Sequence, residues 1–206
     1  MAKLHPKHLL YGCSGKLGNY VLVTTERGTF ARRRPRRTQR VSEMQERTRR
    51  SFSFATAFLA QALEVFRLSF ASDPRSRYSR AMKLVMKAVC ETATALSIDY
   101  TRLQLSEGTL KSPALYSVAA NSDEVLFKWF WHKRDFAGKD CEAVAVLYFP
   151  LTNQWLYQIA PKPLRSLAVR IPKHLREQVA EAFLFFRSKD QQDTSATAYL
   201  GSVDIH

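Results

Sequence analysis

The chain has 206 residues, is 46% hydrophobic and carries a formal net charge of +14 at pH 7. That length supplies cores for one large domain or two small ones. Three widely spaced cysteines, Cys13, Cys90 and Cys141, exclude a disulfide framework or a cysteine metal box and favour a reducing compartment.

The charge is uneven. Residues 1–50 hold thirteen Lys/Arg and three acids, a balance of +10, which leaves +4 for residues 51–206. A basic N-terminal region on a less charged body favours nucleic acid, an acidic lipid surface or an acidic protein as partner. The first residues lack the long apolar stretch of a signal peptide. The longest mostly apolar stretch, Phe52 to Phe66, is interrupted by Gln61 and Glu64, so no membrane span is expected. The expected location is the cytoplasm or the inside of an assembled particle.

Residues 1–41 read as a basic arm with short strands. Gly12-Cys13-Ser14-Gly15-Lys16-Leu17-Gly18 has glycines and a lysine like a phosphate loop. A Walker loop, however, needs four residues before Gly-Lys and a Ser or Thr after it; here two intervene and Leu17 follows. Lys16 also stands where a nucleophile elbow requires glycine. A turn leading into a strand is the better reading. Tyr20 to Thr25 is β-branched and apolar, Gly28 permits a turn, and Thr29 to Arg32 reads as a returning strand.

The hairpin runs into Arg32, Arg33, Arg34, Arg36, Arg37 and Arg40, six arginines in nine residues with no acid among them. Pro35 favours an extended segment over a helix there. Arg47, Arg49 and Arg50 continue the charge into the next element, near a helix N-terminus where the dipole disfavours cations, so an offsetting anion is expected. Arginine dominates over lysine, and its planar fork matches phosphate oxygens. The nine arginines form the candidate polyanion-binding set, against the plainer alternatives of a solvated basic face or an acidic protein contact.

Residues 42–96 read as a helical hairpin. Ser42-Glu43-Met44-Gln45 has the form of a capping box. Phe52, Ala55, Phe58, Leu59, Ala62, Leu63, Phe66 and Phe70 recur at helical spacing until Asp73-Pro74. A second helix carries Met82, Val85, Met86, Val89, Ala93 and Leu96 on one face. The aromatic face of Phe58, Phe66 and Phe70 needs cover from the rest of the chain or from another chain.

Residues 97–206 read as all-β, with strands expected over 98–105, 114–119, 124–131, 142–149, 154–159, 166–171, 180–187 and 196–204. Val125, Phe127, Trp129 and Trp131 alternate with Leu126, Lys128, Phe130 and His132 and define one strongly apolar face. Residues 172–183 admit a helical turn before the strand. The fold expected is α+β: an N-terminal basic arm with a β-hairpin, a two-helix hairpin, and a C-terminal antiparallel β-sandwich of immunoglobulin or fibronectin type.

The residues point to no catalytic chemistry. His5 and His8 lack ligating companions, the acids of the β region stand singly, and no nucleophile pairs with a base. No metal, cofactor or catalytic residue is expected.

Several short motifs run in order from end to end. They are Gly12 to Gly18, Arg49 to Leu59, Ser97-Ile98-Asp99-Tyr100, Leu105-Ser106-Glu107-Gly108-Thr109-Leu110 and Phe127-Lys128-Trp129. Val146-Leu147-Tyr148-Phe149-Pro150, Val169-Arg170-Ile171-Pro172 and Tyr199-Leu200-Gly201 follow. Together they resemble an uncharacterised family of Bacteroidota proteins about as long as this chain, known only as a domain of unknown function. The resemblance implies a bacterial or bacteriophage origin and a sandwich-like C-terminal region, and it implies no activity. The chain departs from the family in its richer arginine content before the first helix and over residues 173–181. The functional expectation is a non-enzymatic structural or binding protein, a subunit of a phage-like or mobile-element assembly. Its arginine segment would meet nucleic acid or a neighbouring subunit. The alternative is a stand-alone nucleic-acid-binding protein without sequence preference.

Overall fold

A computed structural model describes residues 2–35, 41–92, 95–121, 123–131, 140–161 and 165–205. The chain is mixed α+β, with two helices and several antiparallel sheets. It divides into two compact units, Met1–Glu46 and Arg47–His206.

The first unit is built on a four-stranded sheet. Strands β1 (Ala2–Lys3), β2 (Gly15–Leu17), β3 (Tyr20–Thr25) and β4 (Gly28–Arg33) lie in the order β1-β4-β3-β2. The expected hairpin is β3 and β4, with Thr25 facing Gly28 across a two-residue loop. Gly28 has φ +119, a backbone state that L side chains avoid. A Cβ there would also meet the Lys3 side chain at 3.0 Å. Gly15-Lys16-Leu17 is itself a strand and leads into β3, whereas a phosphate loop leads into a helix. At the end of this unit Ser42 caps helix α1 (Glu43–Ser69). Its hydroxyl accepts from the Gln45 N–H at 3.3 Å, the hydroxyl half of the expected box.

In the second unit α1 continues and α2 (Arg77–Ala88) follows. Asp73 organises the connection: its carboxylate accepts from the backbone N–H and hydroxyl of Ser76, just before α2. Those bonds, the Ser76 hydroxyl first, hold the Asp73 carboxyl below its ordinary value. The Arg77 Nε donates to the Phe70 carbonyl at 3.0 Å, and the Arg80 guanidinium lies 4.3 Å from the Phe70 ring centroid.

The second helix stops at Ala88, short of the expected Leu96. Val89 is already extended (φ −66, ψ 122), and β5 (Val89–Glu91) pairs with β6 (Leu96–Ile98). Three physical causes act together. Val89 is β-branched. Thr92 closes the turn with both its backbone N–H and its hydroxyl on the Ala95 carbonyl. The returning Asp99 N–H satisfies the Ala88 carbonyl at 2.8 Å, a group the helix end leaves open. Ala93 lies outside the described residues.

The strand expected over 98–105 ends at Ile98. Asp99 folds its carboxylate back onto the Thr101 N–H and hydroxyl, a local turn that competes with a ladder. Residues 103–110 then run as an extended clasp onto residues 193–197. The Thr197 hydroxyl accepts from the N–H groups of Leu105 and Ser106, the Ser106 hydroxyl donates to the Ser195 carbonyl, and the Leu110 N–H donates to the Thr194 carbonyl.

Strands β7 (Leu115–Ala120), β8 (Glu124–Phe130) and β11 (Ser166–Arg170) form one sheet in the order β11-β8-β7. Strands β9 (Cys141–Phe149), β10 (Gln154–Pro161), β12 (Val179–Ser188) and β13 (Ala198–Asp204) form another, ordered β10-β9-β12-β13. Residues 172–183, open between turn and strand, divide into a 3-10 turn over Lys173–Leu175 and the start of β12.

The central strands β9 and β12 are buried on both faces, which explains their near-continuous apolar composition. One face, with Ala145, Leu147, Leu184 and Phe186, packs on Val125, Phe127 and Trp129 of β8 and Leu167 and Val169 of β11. The other, with Val144, Val146, Tyr148, Phe183 and Phe185, packs on Phe58, Leu59, Phe66 and Val85 of the helices. Phe58 meets Tyr148 and Trp155 edge-on at centroid distances of 5.6 and 5.7 Å. Phe66 and Phe70 are buried in the same core. The aromatic helix face is therefore covered by this chain's own sheet.

Candidate polyanion-binding surface

The arginine segment begins inside a strand. Pairing sets Arg33 opposite Tyr20 and Arg32 opposite Val21, and the ladder extends one residue further, the Arg34 N–H donating to the Asn19 carbonyl at 2.7 Å. The backbone of Arg32, Arg33 and Arg34 is thus fixed while all three side chains are exposed. Strand alternation sends Arg32 and Arg33 to opposite faces of the sheet.

Across the same sheet two threonines fix the preceding loop. The hydroxyls of Thr24 and Thr29 lie 3.0 Å apart. Thr29 Oγ1 accepts from the Gly12 N–H at 2.8 Å, and Thr24 Oγ1 donates to the Cys13 carbonyl at 2.9 Å. His5 and His8 act locally: their Nδ1 atoms accept from the N–H groups of Lys7 and Leu10. Between residues 1 and 41 the only acid is Glu26, against Lys3, Lys7, Lys16, Arg27 and the six arginines of the run.

Arg36, Arg37 and Arg40 lie outside the described residues. Arg47, Arg49 and Arg50 sit in the second unit, on the exposed beginning of α1. The anion expected for this cationic helix start comes from the chain itself. Glu43 and Glu46 occupy the first turn, and Arg47 forms an ion pair with Glu91 of β5. Arg49 borders a shallow groove of about 720 Å³ along α1 that also contains Phe52, Thr56, Ala57 and Ala60. Phe52 is 50% exposed there.

A second cavity, of about 370 Å³, was not visible as a site in the sequence. Phe54, Phe58, Gln61, Tyr100, Tyr148 and Asn153 surround it. The Tyr148 hydroxyl donates to Asn153 Oδ1 at 2.9 Å. Burial pushes the Tyr100 and Tyr148 phenols above their ordinary range, so both remain neutral. Its described lining residues include no acid or base. Its polar groups converge from α1, the turn after β6, and both ends of the β9–β10 connection, segments too far apart in sequence for spacing to reveal. Among the described residues, no three His, Cys, Asp or Glu side chains gather as a metal site. No described helix is long and apolar enough to cross a membrane.

No family model matches this chain, and no curated protein matches it.

Proposed function

We propose that this chain is a non-enzymatic protein that binds nucleic acid without reading its sequence, through the arginines at and beyond the end of β4. One observation carries the reading. The backbone of Arg32 to Arg34 is fixed by sheet hydrogen bonds while the guanidinium groups stand in solvent, in a region whose only acid is Glu26. A pre-ordered strand loses less entropy on binding than a free arm. Phosphate contacts of this kind position a polyanion and carry no base information.

The test is fluorescence anisotropy of a labelled oligonucleotide across a salt series. Each neutralised phosphate contributes about −0.9 on a duplex and about −0.7 on a single strand to the slope of log affinity against log salt, so five engaged arginines lower affinity roughly 500-fold or roughly 130-fold, respectively, between about 50 and about 200 mM salt. Replacing Arg32, Arg33, Arg34, Arg36 and Arg37 by Ala removes that binding. Equal affinity of wild type and variant at matched salt refutes the reading.

A second reading is a subunit of a larger, phage-like or mobile-element assembly, with the arginines against nucleic acid or a neighbouring subunit. The covered aromatic helix face removes one reason for it, and the half-exposed Phe52 in the α1 groove supplies another. Light scattering separates the two: a large homo-oligomer favours the assembly, and a monomer that binds oligonucleotide favours the stand-alone protein. In both readings the C-terminal strands act as a rigid sandwich of immunoglobulin or fibronectin kind. The core shared by β8, β9 and β12 supports that part.

A further inference from the structure

We propose that the nucleic acid held at β4 is single-stranded, and that one of its bases stacks on Tyr20. This rests on the nucleic-acid reading above and specifies the strand state of its ligand. Antiparallel pairing places Leu17 opposite Tyr20 and Tyr20 opposite Arg33. Directly opposed residues share a face with their Cβ atoms about 5 Å apart, so Leu17, Tyr20 and Arg33 form one row across β2, β3 and β4. Leu17 is 52% and Tyr20 56% exposed, and Arg33 is exposed beside them.

The next row inward on this face is Gly15, Leu22 and Ala31, of which Leu22 is buried. Gly15 adds no side chain, and a Cβ built on it or on Gly18 would meet nothing within 4 Å. Gly15 and Gly18 therefore crowd nothing beside the half-exposed Tyr20 ring, and a planar base has room on that side, while Leu22 in the inner row is covered. The opposite face carries Lys16, Val21 and Arg32 in the corresponding row. Cations thus flank the aromatic row on its own face and on the reverse.

This arrangement discriminates among polyanions. In a duplex the bases stack on one another, and an aromatic ring beside the phosphates adds no contact. In a single strand the bases are free, every base has a π-face, and stacking adds to phosphate neutralisation. A lipid surface could also receive Leu17 and Tyr20 beside the cations, and anionic vesicles are therefore the competing probe.

The experiment titrates the full chain into labelled thymine homopolymer about 15 nucleotides long, within the span of known single-strand sites, and into a duplex of equal length. Variants are Tyr20→Ala, Tyr20→Phe and Arg33→Ala. The wild type is expected to bind the single strand about tenfold tighter than the duplex. Tyr20→Ala is expected to remove that preference while leaving duplex affinity and its salt slope unchanged, and Tyr20→Phe to keep it, since a ring suffices. Arg33→Ala is expected to weaken both probes and to flatten both salt slopes by about one.

Salt-sensitive binding to both probes with equal affinity, or equal weakening of both by Tyr20→Ala, overturns the stacking inference and leaves the nucleic-acid reading standing. Absence of binding to either probe, with capture by anionic phospholipid vesicles instead, overturns both.

Discussion

Replacing Gly108 by Ala tests the clasp that joins residues 103–110 to residues 193–197. The position needs glycine for space: a Cβ there would stand 2.1 Å from the Thr194 carbonyl oxygen, 2.7 Å from Asp193 Oδ1 and 2.8 Å from Thr194 Oγ1. The nearest obstacle is backbone, so no rotamer change relieves it, and the segment must move by about an ångström. That shift breaks three hydrogen bonds: Leu110 N–H to the Thr194 carbonyl at 3.0 Å, and Thr109 N–H and hydroxyl to the Asp193 carboxylate at 3.1 and 2.5 Å. At about 1 kcal/mol each, the loss is about 3 kcal/mol. For a unit of this size each kcal/mol moves Tm by about 2–4 °C, giving a fall of about 6–12 °C. Thermal unfolding followed by circular dichroism measures it. A fall smaller than about 2 °C refutes the account, because it would mean that the segment yields without losing its bonds. The Leu105 to Leu110 motif would then owe its form to something other than this clasp.

Two further outcomes follow from buried polar contacts. Arg187 is only 8% exposed and reaches Glu142 Oε2 with Nε and a terminal nitrogen, both at 2.8 Å. Glu142→Ala strands that cation and is expected to lower urea stability by about 3 kcal/mol, and the double variant with Arg187→Met to regain most of it. If the double variant is no more stable than the single, the stranded charge is not the cause. Burial is the first cause that raises the phenols of Tyr100, Tyr116, Tyr148 and Tyr199 above their ordinary value of 10.0. Protons are therefore retained longer in the folded state than in the unfolded one. The associated stability is complete below the ordinary value and is lost as pH rises through the raised ones. Ultraviolet titration is expected to show these phenols ionising only with alkaline unfolding; reversible ionisation near the ordinary value in the folded protein would contradict their burial.

Local chemistry was legible in the chain. The period of Phe58, Leu59, Ala62 and Phe66 marks one face of α1, and the alternation of Val125, Phe127 and Trp129 marks the buried face of β8. The Ser42 cap and the Gly28 turn are similarly local. The end of α2 was not legible. Val89 and Leu96, seven positions apart, preserve helical spacing, yet Val89 packs into the core from a hairpin strand, opposite Ile98. Apolar spacing reports which residues go inside, and here helix and hairpin place the same residues there.

By itself the sequence determined that a basic, nearly acid-free segment precedes a larger apolar body, and that within this body a helical region is followed by strands, with recognisable caps and turns. It also determined that the run from Arg32 to Arg40 cannot bury itself, because no acid stands within it. Only tertiary structure decided what stands beside its arginines. Tyr20 and Arg33 are thirteen positions apart, and they become neighbours because a two-residue loop sets Thr25 against Gly28 and every later pair follows outward. The segment after Ile98 is decided in the same way by Thr197 and Thr194, about ninety residues further along. A backbone N–H takes whichever acceptor the folded chain brings to it, and that choice is made by packing at a distance.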